Sequence, residues 1–123
     1  MTRCFVRALA AVLVLAALPA LAYERGDWVL ARWEKGEYWF PGIVERHVDG
    51  QVSIQYDDGD RETLPAAYVK KYDWKVGSRV SCNWQNGGKW YPGRITRLKG
   101  GSLSIAYDDG DRENTTTGLC RSK

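Results

Sequence analysis

Residues able to do chemistry gather in two places with one spelling. Asp57-Asp58-Gly59-Asp60 and Asp108-Asp109-Gly110-Asp111 each put three carboxylates within four positions. Such a cluster can attract Ca²⁺, but neither run has the distal Glu or the spacing of a calcium loop. The other reading is a tight acidic turn in which Gly59 takes a positive φ. Around these turns the chain carries six Trp, seven Tyr and Phe40. Such rings are ordinary core material where little else can be buried. Nucleophilic and metal chemistry find no support. The single histidine, His47, falls in an expected turn and reads as a surface residue, no Ser or Cys has an evident base, and no phosphate loop or Cys/His zinc set is present. We expect no enzyme and no cofactor.

The elements that position these turns occur twice. Gln51 to Glu62 and Ser102 to Glu113 are the same stretch offset by 51 positions, and the offset holds without a gap for Trp33 with Trp84, Trp39 with Trp90, and Pro41-Gly42 with Pro92-Gly93. In the first copy, Trp28 to Trp33 alternates with Val29, Ala31 and Trp33 on one face, which predicts a strand. Glu34 to Glu37 is a short loop. Tyr38 to Arg46 is a second strand, with a bulge or bend expected at Pro41-Gly42. His47 to Gly50 is a turn, Gln51 to Tyr56 a third strand, and Arg61 to Leu64 a fourth. Pro65 to Tyr68 makes a helical turn before a short strand at Val69 to Lys71. Five short strands with tight turns in about 50 residues predict a small closed barrel. The fold class is all-β, with two tandem five-stranded SH3-like barrels at 23–71 and 72–123. The short junction implies barrels that touch in a fixed orientation. A continuous or interdigitated pair of sheets is the alternative. The tail Arg121-Ser122-Lys123 is expected to fray.

Residues 1–22 read differently. Arg3 and Arg7 precede an apolar run from Ala8 to Leu18, and Ala20-Leu21-Ala22 is an A-x-A site. That pattern is a secretory signal helix, too short for a spanning segment, with a short membrane anchor as the alternative. Cys4 lies before the apolar run, which argues against a lipoprotein anchor. The protein is then exported, to a periplasm or outside the cell, with no membrane attachment after cleavage. Removing these two arginines from 18 basic residues leaves 16 against 15 acids, a net charge of +1. Overall charge therefore gives no argument for nucleic acid. The halves differ: 24–70 carries six basic and ten acidic residues, 71–123 ten and five. Cys82 and Cys120 remain in the exported part, and an oxidising compartment makes a disulfide the default. They fall on the first and last strands of the second copy, neighbours in a closed five-stranded barrel. The first copy has Ala31 and Val69 there.

Each repeat resembles a Tudor domain, of the SH3-like barrel group that includes agenet modules. The resemblance is carried by Gly26 to Trp33, Tyr38-Trp39-Phe40-Pro41-Gly42 and Tyr56 to Asp60. In the second copy it is carried by Val76 to Trp84, Trp90 to Ile95 and Tyr107 to Asp111. It spans nearly all of 23–123. Tudor domains of this kind often bind methylated Lys or Arg in an aromatic cage, where π-faces attract a weakly hydrated cation and a carboxylate adds charge. By resemblance, the cage of the first copy is Trp33, Phe40, Tyr56, Asp58 and Asp60. That of the second is Trp84, Tyr91, Tyr107, Asp109 and Asp111. Asp60 and Asp111 stand where many cages have another aromatic or an Asn, which makes these pockets more open and acidic.

The expected function is an exported, non-enzymatic binding module for a protein or peptide bearing a methylated or free amine or guanidinium. Two other readings stand beside it. Nucleic acid or another anionic polymer could dock on a face of the second repeat lined by Arg94, Arg97 and Lys99, with Lys89 nearby, and binding would weaken with salt. A protein–protein adaptor without cages is the third, with Trp33 and Trp84 merely capping their barrels.

Overall fold

The computed structural model describes residues 22–123; residues 1–21, on which nearly all of the signal-sequence expectation and the reading of Cys4 rest, lie outside the described residues. Two five-stranded antiparallel sheets follow one another. The first contains β1 (Trp28–Arg32), β2 (Trp39–Val48), β3 (Gln51–Tyr56), β4 (Arg61–Pro65) and β5 (Val69–Lys71), in the order β4-β3-β2-β1-β5. The second contains β6 (Arg79–Asn83), β7 (Trp90–Lys99), β8 (Ser102–Tyr107), β9 (Arg112–Thr116) and β10 (Cys120–Arg121), in the order β10-β6-β7-β8-β9. Each sheet curls into a small barrel. Period-two alternation explains the curling: Val52, Ile54 and Tyr56 on β3 turn inward and are buried, as are Leu103, Ile105 and Tyr107 on β8.

Several sequence expectations are corrected. β1 ends at Arg32, and Trp33–Lys35 forms a 3₁₀ turn in which Glu34 and Lys35 take φ of 52° and 58°. Trp33 therefore leaves the strand face of Val29 and Ala31. The bulge of β2 falls between Val44 and Arg46, not at Pro41-Gly42. Gly42 serves close approach instead: a Cβ there would lie 2.7 Å from Ile54 Cγ2 and 2.8 Å from the Gln55 carbonyl oxygen. β2 also runs on to Val48, so His47 sits in a strand, half-buried, where its Nδ1 accepts the Tyr23 amide at 2.9 Å. Beyond β10 the chain turns to the other sheet: Trp39 of β2 and Ser122 exchange backbone hydrogen bonds at 2.7 and 2.9 Å, so the expected frayed tail is held by an isolated bridge instead.

That bridge belongs to a wide contact between the repeats. Leu30 points away from the first core and is fully buried in the second, beside Trp74, Val80 and Cys82. Trp39 packs against the same cluster. β1 is consequently buried on both faces, whereas its counterpart β6 alternates. Arg121 lies between the rings of Tyr38 and Trp90, 3.9 and 4.3 Å from their centroids. Gly118 packs on the backbone of Asp57 and Asp58, leaving 2.9 Å for any Cβ. In the second barrel Cys82 and Cys120 pair across β6 and β10 and form a disulfide, where Ala31 faces Val69 in the first.

Candidate aromatic cages

Each cage is assembled from four local features. The 3₁₀ turn after β1 or β6 carries Trp33 or Trp84. The start of β2 or β7 supplies Phe40 or Tyr91, and the end of β3 or β8 supplies Tyr56 or Tyr107. The acidic turn that follows adds Asp58 and Asp60, or Asp109 and Asp111. These elements converge because antiparallel pairing sets Gly42 opposite Tyr56 and Gly93 opposite Tyr107. Phe40 and Tyr91, two positions before each glycine and so on the same strand face, then lean over the tyrosine ring.

The structure places Trp33, Phe40, Tyr56, Asp58 and Asp60 around one open concavity of about 180 Å³. Trp84, Tyr91, Tyr107, Asp109 and Asp111 surround a second, also of about 180 Å³. In the first, Trp33 and Tyr56 meet edge to face at 5.5 Å, and Phe40 and Tyr56 at 6.4 Å. In the second, Tyr91 and Tyr107 meet at 6.4 Å with the same steep angle. Perpendicular rings leave a corner bounded by π-faces, the geometry a rounded cation fills best.

The two tyrosines are anchored identically. Tyr56 donates its phenolic hydrogen to Glu62 Oε1 at 2.8 Å, and Glu62 Oε2 accepts the Glu34 amide at 2.9 Å. Tyr107 donates to Glu113 Oε1 at 2.6 Å, and Glu113 Oε2 accepts the Gln85 amide at 2.8 Å. One carboxylate thus ties the floor tyrosine to the loop that carries the tryptophan. Burial, then the hydrogen bond to the glutamate, hold both phenols well above the ordinary tyrosine range, so they stay protonated donors. Sequence reasoning did not single out Glu62 and Glu113 as cage supports. Their recurrence at the 51-position offset was the available signal.

The acidic turns divide their carboxylates. Asp58 Oδ1 accepts the Asp60 amide at 3.0 Å, and Asp109 Oδ1 the Asp111 amide at 2.9 Å, which fixes each turn. Asp57 accepts from the Thr117 hydroxyl of the other repeat. Among the described residues no group of three His, Cys, Asp or Glu side chains converges as a metal site.

The cages are not equal. Trp84 and Tyr91 are 40% and 38% exposed, while Trp33 and Phe40 are half-buried. Phe40 is buttressed from outside its own repeat by Trp90, edge to face at 6.2 Å. The first cage is also the more acidic, because Glu34 stands where the second repeat has Gln85. The basic residues of the second repeat do not form one face. Arg97 and Lys99 line a shallow concavity with Ser104 and Asn114, whereas Arg94 lies elsewhere, donating to the Gly77 carbonyl at 3.2 Å.

Two tandem barrels with a cage-like corner on each define a fold of the tandem Tudor type. Among solved structures, the Crb2 tandem tudor domains match with a TM-score of 0.54 at 13% identity, over 85% of this chain and 83% of that one. The ADCP1 tandem Agenet domain 3-4 matches at 0.38 and 15% identity, over 82% and 80%. The Arabidopsis thaliana AGDP1 AGD34 matches at 0.39 and 16% identity, over 82% of each. At these identities the likeness is one of fold. Scans against protein-family profiles and curated proteins return no match.

Proposed function

We propose that this protein is an exported, non-enzymatic binding module that captures a cationic side chain, methylated lysine or arginine, of a partner peptide in its aromatic–acidic corners. The observation that carries this reading is the convergence of Trp33, Phe40, Tyr56, Asp58 and Asp60 on one open concavity, repeated by their counterparts 51 positions later. A methylated ammonium has lost much of its hydration, so ring faces compete well with water for it, and the carboxylates supply the opposite charge. The first cage is the stronger candidate, being less exposed and more acidic. The Cys82–Cys120 disulfide supports an oxidising compartment, in keeping with the signal sequence read at 1–22. The test is a titration of the protein from Tyr23 onward with trimethyl-lysine, dimethyl-arginine and unmodified peptides, following the tryptophan indole signals by NMR. Selective shifts of Trp33 or Trp84, lost in Trp33→Ala or Trp84→Ala, support the reading. Absence of any shift at millimolar ligand sinks it.

A second reading draws on the concavity of about 450 Å³ that holds Arg97, Lys99, Ser104 and Asn114. Two cations among neutral donors suit an anionic polymer. Binding would then fall steeply with salt, and Arg97→Ala with Lys99→Ala would remove it.

A further inference from the structure

Trp39 and Trp90 hold the same place in their repeats, and each lies under a cation from its repeat's last strand. Lys70 Nζ sits 4.7 Å from the Trp39 ring, and the Arg121 guanidinium 4.3 Å from the Trp90 ring. The offset of 51 positions holds for both members of the pair. The two indoles are then used differently. Trp39 packs against the core of the second repeat. Trp90 reaches back to the first repeat, where it meets Phe40 at 6.2 Å with 88° between the ring planes. Phe40 in turn meets Tyr56 at 6.4 Å. Tyr91, the counterpart of Phe40, has no such support: among the described residues the only ring it pairs with is Tyr107.

Trp90 is itself held. Arg121 lies between Trp90 and Tyr38 and makes no ion pair among the described residues. Its Nε is buried without a hydrogen-bond partner. Stacking on two rings, not charge pairing, is what places this side chain. The backbone around it is tied on both sides. Cys120 is in the disulfide, and Arg121 pairs with Ser81 on β6. Ser122 bridges Trp39, and its hydroxyl accepts the Trp74 indole N–H at 3.1 Å.

We propose that the first cage is a site built by both repeats, in which Trp90 and Arg121 are positioning residues that set the Phe40 wall. Neither lines the concavity. Arg121 fixes Trp90, Trp90 fixes Phe40, and Phe40 closes the corner over Tyr56. Without that support Phe40 turns more freely, and a ligand must bear the cost of ordering it. For a cation in the first cage, which rests on the function proposed above, affinity then depends on the second repeat. The second cage is assembled from its own repeat alone.

The experiment uses the whole protein from Tyr23 onward, labelled with ring-¹³C phenylalanine and ¹⁵N tryptophan. Phe40 is the only phenylalanine in that stretch, so one residue reports. Two readouts are taken: the nuclear Overhauser contact between the Phe40 and Tyr56 rings in the free protein, and the Trp33 and Trp84 indole titrations with N-acetyl-trimethyl-lysinamide. Trp90→Ala is expected to weaken the ring contact and to weaken the Trp33 titration by about tenfold, the scale of one aromatic pair, leaving the Trp84 titration within about twofold. Trp90→Phe keeps a ring beside Phe40 and should recover most of the loss. Arg121→Met keeps the length without the cation and should weaken the Trp33 titration by about threefold, and Arg121→Lys should restore it. The proposal is overturned if Trp90→Ala keeps the parent's ring contact and Trp33 titration, if both cages weaken equally, or if Trp90→Phe recovers nothing. Should Trp90→Ala fail to fold, the Arg121 variants decide by the same readouts. A parent whose Trp33 signal never moves sinks the cation reading instead, and the ring contact then decides the positioning by itself.

Discussion

Tyr56 and Glu62 face each other across the hairpin of β3 and β4, the phenol donating to the carboxylate at 2.8 Å. Because the same carboxylate also holds the Glu34 amide, the floor of the first cage and the loop bearing Trp33 are one hydrogen-bonded unit. Preorganisation of this kind lowers the ordering entropy of binding. Glu62→Ala is expected to weaken trimethyl-lysine peptide binding at the first cage by about tenfold, and to cost about 1–3 kcal/mol of stability by orphaning the Tyr56 hydroxyl. The Trp84 signals should keep their own titration. The check is the Trp33 indole titration of the variant alongside its urea unfolding curve.

Alkaline pH should unfold the protein through its phenols. Tyr56, Tyr107 and Tyr72 all have folded-state pKa values raised above the ordinary 10. A raised pKa means that the stability from the neutral phenol is complete below pH 10 and is lost as pH climbs through the folded value. For Tyr72 the window runs from 10 to about 12. Thermal midpoints should be level through neutral pH on account of these groups and fall above pH 10, and Tyr72→Phe should remove part of that fall. A wild-type curve that stays flat to pH 12 would contradict the burial of these hydroxyls.

Reduction should act on one repeat more than the other. The Cys82–Cys120 bridge closes a loop with a sequence separation of 38, which by the chain-entropy argument contributes roughly 4 kcal/mol. The paired variant Cys82→Ala, Cys120→Ala should lose about that much in chemical denaturation. Hydrogen exchange should then speed up first at Val80, Ile95 and Ile105 and only afterwards at Val29 and Val44.

The contact between repeats can be loosened at one atom. Gly118→Ala puts a methyl group within 2.9 Å of the Asp57 backbone, where no flexible side chain can yield. Overpacking of this kind costs about 1–3 kcal/mol. Differential scanning calorimetry should show a broadened transition, or two, where the parent shows one. Gly101→Ala, with only Thr117 Oγ1 nearby at 3.9 Å, is the matched control and should unfold as the parent does.

Much of this architecture was readable in the chain. The period-two runs at Gln51–Tyr56 and Ser102–Tyr107 and the acidic turns after them fall where the pattern places them. The contact between repeats was less legible, because it is written in differences between the copies. Leu30 stands where the second copy has Ser81, and a third consecutive apolar residue in Trp28–Arg32 is the mark of a strand covered on both faces. The hairpin loop at Glu34 to Glu37 falls where expected, but Trp33 belongs to its 3₁₀ turn and not to the strand, because positive φ at the non-glycine residues Glu34 and Lys35 leaves no compositional trace. His47 lies in β2 and not in the expected turn because the Asp49-Gly50 turn begins only after Val48. The ordered tail leaves no mark in the sequence, because a strand of two residues and the single Ser122 bridge after it show only beside their partners, β6 and Trp39.

The Trp39–Ser122 pairing has a consequence for how the protein is made. A chain emerges from its N-terminal end, so the first barrel can close as soon as Lys71 is out, but Trp39 and Leu30 must wait with open flanks until some fifty more residues have followed. During that interval the nascent protein shows an apolar seam that only its own second repeat can cover. A chaperone acting on this protein should therefore hold it by β1 and the start of β2, and let go when Ser122 arrives.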